Sequence, residues 1–200
     1  MSASEPDVNL DNSALIVWDM QNGIAKRAFN FSAITINVNL LIDAAHRSHK
    51  PVIASLHTGL AYEYQSKYGI YSAHRRGIDP RKVVPMVEGT DDWKLIDGLA
   101  LGKDDVVLKK HTPSFFVGTM VEQLLRNRGV DTIILAGVST NGGIEGTARH
   151  GASLGFIPIV VEDAVGSFDR TRHESALQMM RGMFPVWKTE DVVRSLGMQG

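Results

Sequence analysis

The chain has 200 residues, with 21 Lys and Arg against 22 Asp and Glu, so its formal charge is −1 with histidine neutral. It is 44% hydrophobic and 22% charged, the proportions of a folded chain rather than a disordered one, and it is long enough to bury a real core. A charge near zero leaves no footprint for nucleic acid, the apolar stretches 14–18 and 157–161 are too short to cross a bilayer, and the absence of cysteine excludes disulfides, thiolate metal ligands and a thiol nucleophile.

Residues 1–11 are polar and acidic, without the basic start and apolar stretch of a secretory signal. They read as a flexible tail, and the expected setting is cytoplasmic. No repeat, low-complexity tract or Pro/Gly/Ser-rich linker divides the chain, so 1–200 reads as one domain. Short β-branched apolar runs recur at 15–18, 52–56, 106–108, 132–136 and 157–161. Near-continuous apolar strands of this kind belong to a sheet covered on both faces. Helical spacing appears in Val117, Met120, Val121, Leu124, Leu125 and Arg128. It appears again in Ile144, Thr147, Ala148, Gly151 and Leu154, and across 172–183, before Pro185. Strands alternating with helices predict βαβ units and a three-layer α/β/α sandwich with a mainly parallel sheet. The irregular segment 59–97 holds four tyrosines, His74, Arg75 and Arg76, and reads as a long excursion covering a site or an interface.

In such sheets ligands bind beyond the carboxyl ends of the strands. The first run ends in Trp18-Asp19-Met20-Gln21-Asn22, the second in His57-Thr58 and the third in Lys109-Lys110-His111. The fourth ends in Gly137-Val138-Ser139-Thr140-Asn141-Gly142-Gly143, and the fifth in Glu162-Asp163. In a parallel sheet a carboxylate, a histidine, a lysine, a turn of small residues and another carboxylate thereby converge on one edge. The fourth turn leads into a helix, where backbone N–H groups and the helix dipole favour a substrate carboxylate or an oxyanion.

Three segments carry a resemblance. The turn from Leu135 to Arg149 resembles the nucleophile turn of the isochorismatase-like hydrolases, which include isochorismatases, nicotinamidases and N-carbamoylsarcosine amidases. The strand ending in Asp19-Met20-Gln21 is similar to that family's Asp-x-Gln strand. Lys110, four residues before Ser114, falls where the family has its lysine. The resemblance runs from about Asn12 to Leu196. It implies a small-molecule substrate, a dimer or larger homo-oligomer, and catalysis by Asp19 and Lys110 together with a cysteine at the position held here by Gly143. With no thiol the thioester route is closed. Three readings stay open: an isochorismatase-type enzyme with Asp19 as general acid, a relative that only binds, or an engineered loss of the cysteine.

Enol-ether cleavage needs a proton at the vinyl carbon and then water, so Asp19 could suffice as acid. As a base it could instead drive water onto an amide or ureido carbon. Gln21, His57, Phe116, Ser139, Thr140, Asn141 and Gly142 are the candidate substrate contacts. Ser55 interrupts the Asp-x-His pattern of the metal-dependent nicotinamidases, so no metal and no cofactor are expected. The arrangement this predicts has Asp19 and Lys110 facing each other across a small cavity floored by the turn before Ile144.

Overall fold

The computed structural model describes residues 8–197. Six parallel strands form one sheet in the order β3-β2-β1-β4-β5-β6. They are β1 (Ser13–Trp18), β2 (Val52–His57), β3 (Val106–Lys110), β4 (Thr132–Val138), β5 (Ile157–Gly166) and β6 (Val186–Trp187). The helices are α1 (Asn22–Ala25), α2 (Phe31–Arg47), α3 (Lys67–Arg75), α4 (Val121–Asn127), α5 (Glu145–Ser153), α6 (Arg170–Arg181) and α7 (Thr189–Gly197). The fold is the expected α/β/α sandwich.

Strand alternation sorts the two cores. On β1, Leu15 and Val17 pack toward α2 and α7, joining Ile34, Val38, Leu41, Ile42, Val192 and Leu196. Ala14, Ile16 and Trp18 face the other way, toward α4, α5 and α6, joining Val121, Leu125, Ile144, Ala148, Leu177 and Met180. The chain order of β1 therefore places Trp18 on the α5 face, immediately before Asp19.

Several elements differ from the sequence reading. Helix α2 was not foreseen. Its stretch Ile34-Thr35-Ile36-Asn37-Val38-Asn39-Leu40 alternates apolar and polar residues with a strand's period and carries β-branched residues of modest helix propensity. Packing overrides that pattern: Ile34, Val38, Leu41 and Ile42 are buried while Ile36 and Leu40 face outward. Burying four such side chains contributes about 6–12 kcal/mol gross, more than the propensity deficit. Strand β6 and helix α7 were also missed. Helix α4 begins at Val121 rather than near Val117.

Strand β5 runs on past its apolar start to Gly166, with an irregularity opposite β4 between Leu135 and Gly137. Glu162 and Asp163 therefore lie within the strand rather than at the ligand-binding edge. Glu162 pairs with Arg181, and Asp163 accepts from the Thr189 N–H and hydroxyl at the start of α7. The tail expectation also needs correction. Leu10 is buried and Val8 packs against the core, while the expectation for 1–7 lies outside the described residues.

The excursion between β2 and β3 contains a 3-10 turn, Tyr62–Tyr64, and α3. Its return limb lies against the loop after β1: Asn22 N–H donates to Lys94 O, Gly23 N–H to Asp92 O, and Ile96 N–H to Met20 O.

Candidate active site

Asp19 sits one residue beyond β1 with φ of 42°. This left-handed conformation is tolerated by Asp better than by most residues, and the Gln21 N–H closes the turn onto Asp19 O at 2.8 Å. Ser55, buried inside β2, receives the Asp19 N–H at 3.0 Å and returns its own hydroxyl to Asp19 Oδ1 at 2.6 Å. Lys110, the last residue of β3, donates to Asp19 Oδ2 at 2.7 Å. Both carboxylate oxygens are thus held. The two partners are 4% and 2% exposed, so they meet in direct contact rather than across the expected cavity.

Lys110 also hangs over the Trp18 ring, 4.1 Å from its centroid, and its ammonium lies 3.4 Å from Thr112 O. Burial pushes Lys110 below its ordinary value, partly offset by the charge and hydrogen bond of Asp19. His57 is pushed down from 6.5 to about 4, first by burial and then by the Lys110 charge. It is therefore a neutral imidazole at pH 7.

Gln21 is fully buried, and its amide acts as a clamp. Oε1 accepts from the His57 N–H at 2.8 Å, and Nε2 donates to His57 O at 3.1 Å and Trp93 O at 2.6 Å. This ties the end of β1 to the end of β2 and to the excursion, and leaves the side chain committed within the protein.

The turn after β4 is built differently. Gly137 has φ of 115°, and a Cβ there would strike Trp18 O across the sheet, so only glycine fits. The N–H groups of Gly142 and Ile144 both donate to Ser139 O, which commits two of the donors expected to cradle an anion. The Thr140 hydroxyl donates to Gly166 O at 2.9 Å and pairs with His173 Nδ1 at 2.8 Å. Asn141 Oδ1 accepts from Ser167 at 2.5 Å. Thr140 and Asn141 thus brace the turn against β5 and α6. A Cβ at Gly143 would fall within the indole of Trp18, against Nε1, Cε2 and Cζ2.

Phe116 lies against His150 and Phe156, centroids 5.4 and 5.6 Å away. The aromatic that reaches the site is its neighbour Phe115, edge-on to Trp18 at 5.6 Å. The structure thus groups Asp19, Lys110, Gln21 and His57 at neighbouring strand ends and places Ser55, Trp18 and Phe115 beside them, three residues that the sequence alone did not single out. Ser55 had a readable signal, since a hydroxyl in a buried strand beside the Asp19 strand needs a polar partner. Trp18 offered only its size, beside a distant glycine.

Residues 13–191 match the isochorismatase domain. An uncharacterized isochorismatase family protein of Escherichia coli O157:H7, YecD, is 30% identical over 86% of this chain and 88% of its own. The ureidoacrylate amidohydrolase RutB of Klebsiella pneumoniae (strain 342) is 31% identical over 76% of this chain and 72% of its own. The crystal structure of a cysteine hydrolase from Pseudomonas syringae pv. phaseolicola 1448A superposes with a TM-score of 0.84 at 25% identity, covering all of both chains. The chain belongs to the isochorismatase-like hydrolase family.

Proposed function

We propose that the chain hydrolyses a small carboxylate-bearing metabolite without a thiol, with Asp19 and Lys110 as the proton-transfer pair, and that enol-ether cleavage is its chemistry. The observation that carries this reading is the 2.7 Å contact between Lys110 and Asp19 beside a glycine at the nucleophile position. An enol ether needs no nucleophile from the protein.

Burial makes the Lys110 ammonium a readier proton donor. Its proton passes to Asp19 Oδ2 and from there to the vinyl carbon of the substrate. Water adds to the oxocarbenium carbon and returns a proton to the pair. The hemiketal then releases its alcohol and leaves a pyruvate-type keto acid. His57, neutral beside the pair, adds no competing positive charge.

A second reading, hydrolysis of an amide or ureido C–N bond with Asp19 as base for water, is favoured by the likeness to ureidoacrylate amidohydrolase. The third is a relative that binds without turnover, favoured by how closely Asp19 and Lys110 are packed. Assays for pyruvate release from isochorismate-type enol ethers and ammonia release from ureido compounds separate the three. Enol-ether chemistry predicts pyruvate, with Asp19→Asn lowering kcat about 100-fold or more. Release unaffected by Asp19→Asn overturns the assignment. Binding with neither product supports the third reading.

A further inference from the structure

We infer that Trp18 is the determinant that makes this site thiol-free: its indole occupies the space that a side chain at position 143 would need, so Gly143 and Trp18 are one coupled feature of the native chain rather than a cysteine site that has lost its sulfur. The inference deepens the thiol-free reading of the function and rests on it for its catalytic meaning.

If a site built around a cysteine simply lost that side chain, a gap lined by unchanged neighbours would remain. Here the space is filled from another strand. A Cβ at 143 would overlap the five-membered edge and the adjoining ring carbon of the indole at far less than van der Waals distance. Trp18 has no simple retreat. It is 1% exposed, held edge-on by Phe115 at 5.6 Å, and covered by the Lys110 ammonium 4.1 Å from its centroid. Its backbone is fixed in register with Gly137 of β4, where the close approach admits no Cβ. One large residue on β1 and two glycines in the β4 segment thus fit as a set. The ring also takes the place of a nucleophile beside the lysine, giving Lys110 an aromatic face as its neighbour. Catalysis at this site passes through no covalent adduct on residue 143.

A double-variant cycle tests this without any substrate. Gly143→Cys is compared with Trp18→Leu/Gly143→Cys by thermal unfolding and by the rate of alkylation with iodoacetamide, the sulfur at 143 being the sole thiol in the chain. Overpacking in Gly143→Cys is expected to lower Tm by about 5 °C or more. Trp18→Leu is expected to restore part of that loss and to raise the alkylation rate at least about 10-fold. Should Gly143→Cys fail to fold, Gly143→Ala in both backgrounds gives the same reading, with rescue by Trp18→Leu as the criterion. A Gly143→Cys protein as stable as the parent overturns the inference, as does a thiol alkylated equally fast in both backgrounds, or failure of Trp18→Leu to rescue either variant. None of these outcomes depends on turnover, so loss of the enol-ether reading and loss of this one remain separate results.

Discussion

The turns after β1 and β4 leave neighbouring strands of the sheet, yet they are built by opposite means. The first is polar and fully bonded: Asp19 is gripped by Ser55 on one oxygen and Lys110 on the other, with Gln21 clamping the loop behind it. The second carries no charged side chain, and its crucial position is a glycine filled from across the sheet by Trp18. The β1 turn is fixed by buried bonds to a charged side chain, whereas the β4 turn, braced by neutral hydrogen bonds, meets its neighbour at Gly143 by shape.

That contrast can be broken most forcefully at Lys110. Lys110→Met leaves the Asp19 carboxyl buried without its cation and is expected to cost about 3–5 kcal/mol in urea unfolding. Removing both partners together should cost less than the sum of the single changes. A result below 1 kcal/mol for Lys110→Met would mean that the pair is not the rigid half of the site. Ser55→Ala removes the other grip and is expected to cost about 1–3 kcal/mol.

A pH series sharpens the comparison further. The folded chain holds His57 at about 4 against an unfolded 6.5, so below pH 6.5 the unfolded state takes up a proton that the folded state refuses. Stability is therefore complete above pH 6.5 and falls progressively toward pH 4. The loss is about 2 kcal/mol, after discounting 1.4 kcal/mol per pH unit for the partial exposure of the ring. His57→Gln should flatten that part of the curve. The smallest effect is expected next door: Lys109 is half-exposed and paired with Glu88 on the surface, and Lys109→Gln should change stability by less than about 1 kcal/mol. Adjacent lysines with such different costs would show that burial, not charge, defines the polar half.

Much of this was legible in the sequence, for identifiable reasons. Parallel strands buried on both faces read as unbroken apolar runs, so β1, β2 and β4 stood out, and the residues just beyond them fell where topology brings strand ends together. What escaped depended on partners far along the chain. The alternation in α2 imitates a strand until Ile34, Val38 and Leu41 are seen packed against the sheet. β5 continues through Glu162 and Asp163 because those side chains find partners on α6 and at the start of α7. Thr140 and Asn141 looked like substrate contacts because a polar turn has the same composition whether it faces a ligand or β5 and α6. The fit between Trp18 and Gly143 is a matter of shape, which no local pattern encodes.

The Gln21 clamp has a consequence for how the excursion can change. By gripping both the end of β2 and Trp93, it pins the departing and returning ends of the excursion to the aspartate loop. The outer part, with Tyr64, Tyr68 and Tyr71 facing outward, lies between two anchored points. Changes of length or shape in that arm can therefore be absorbed between the two anchors, leaving the buried Asp19–Lys110 pair in place.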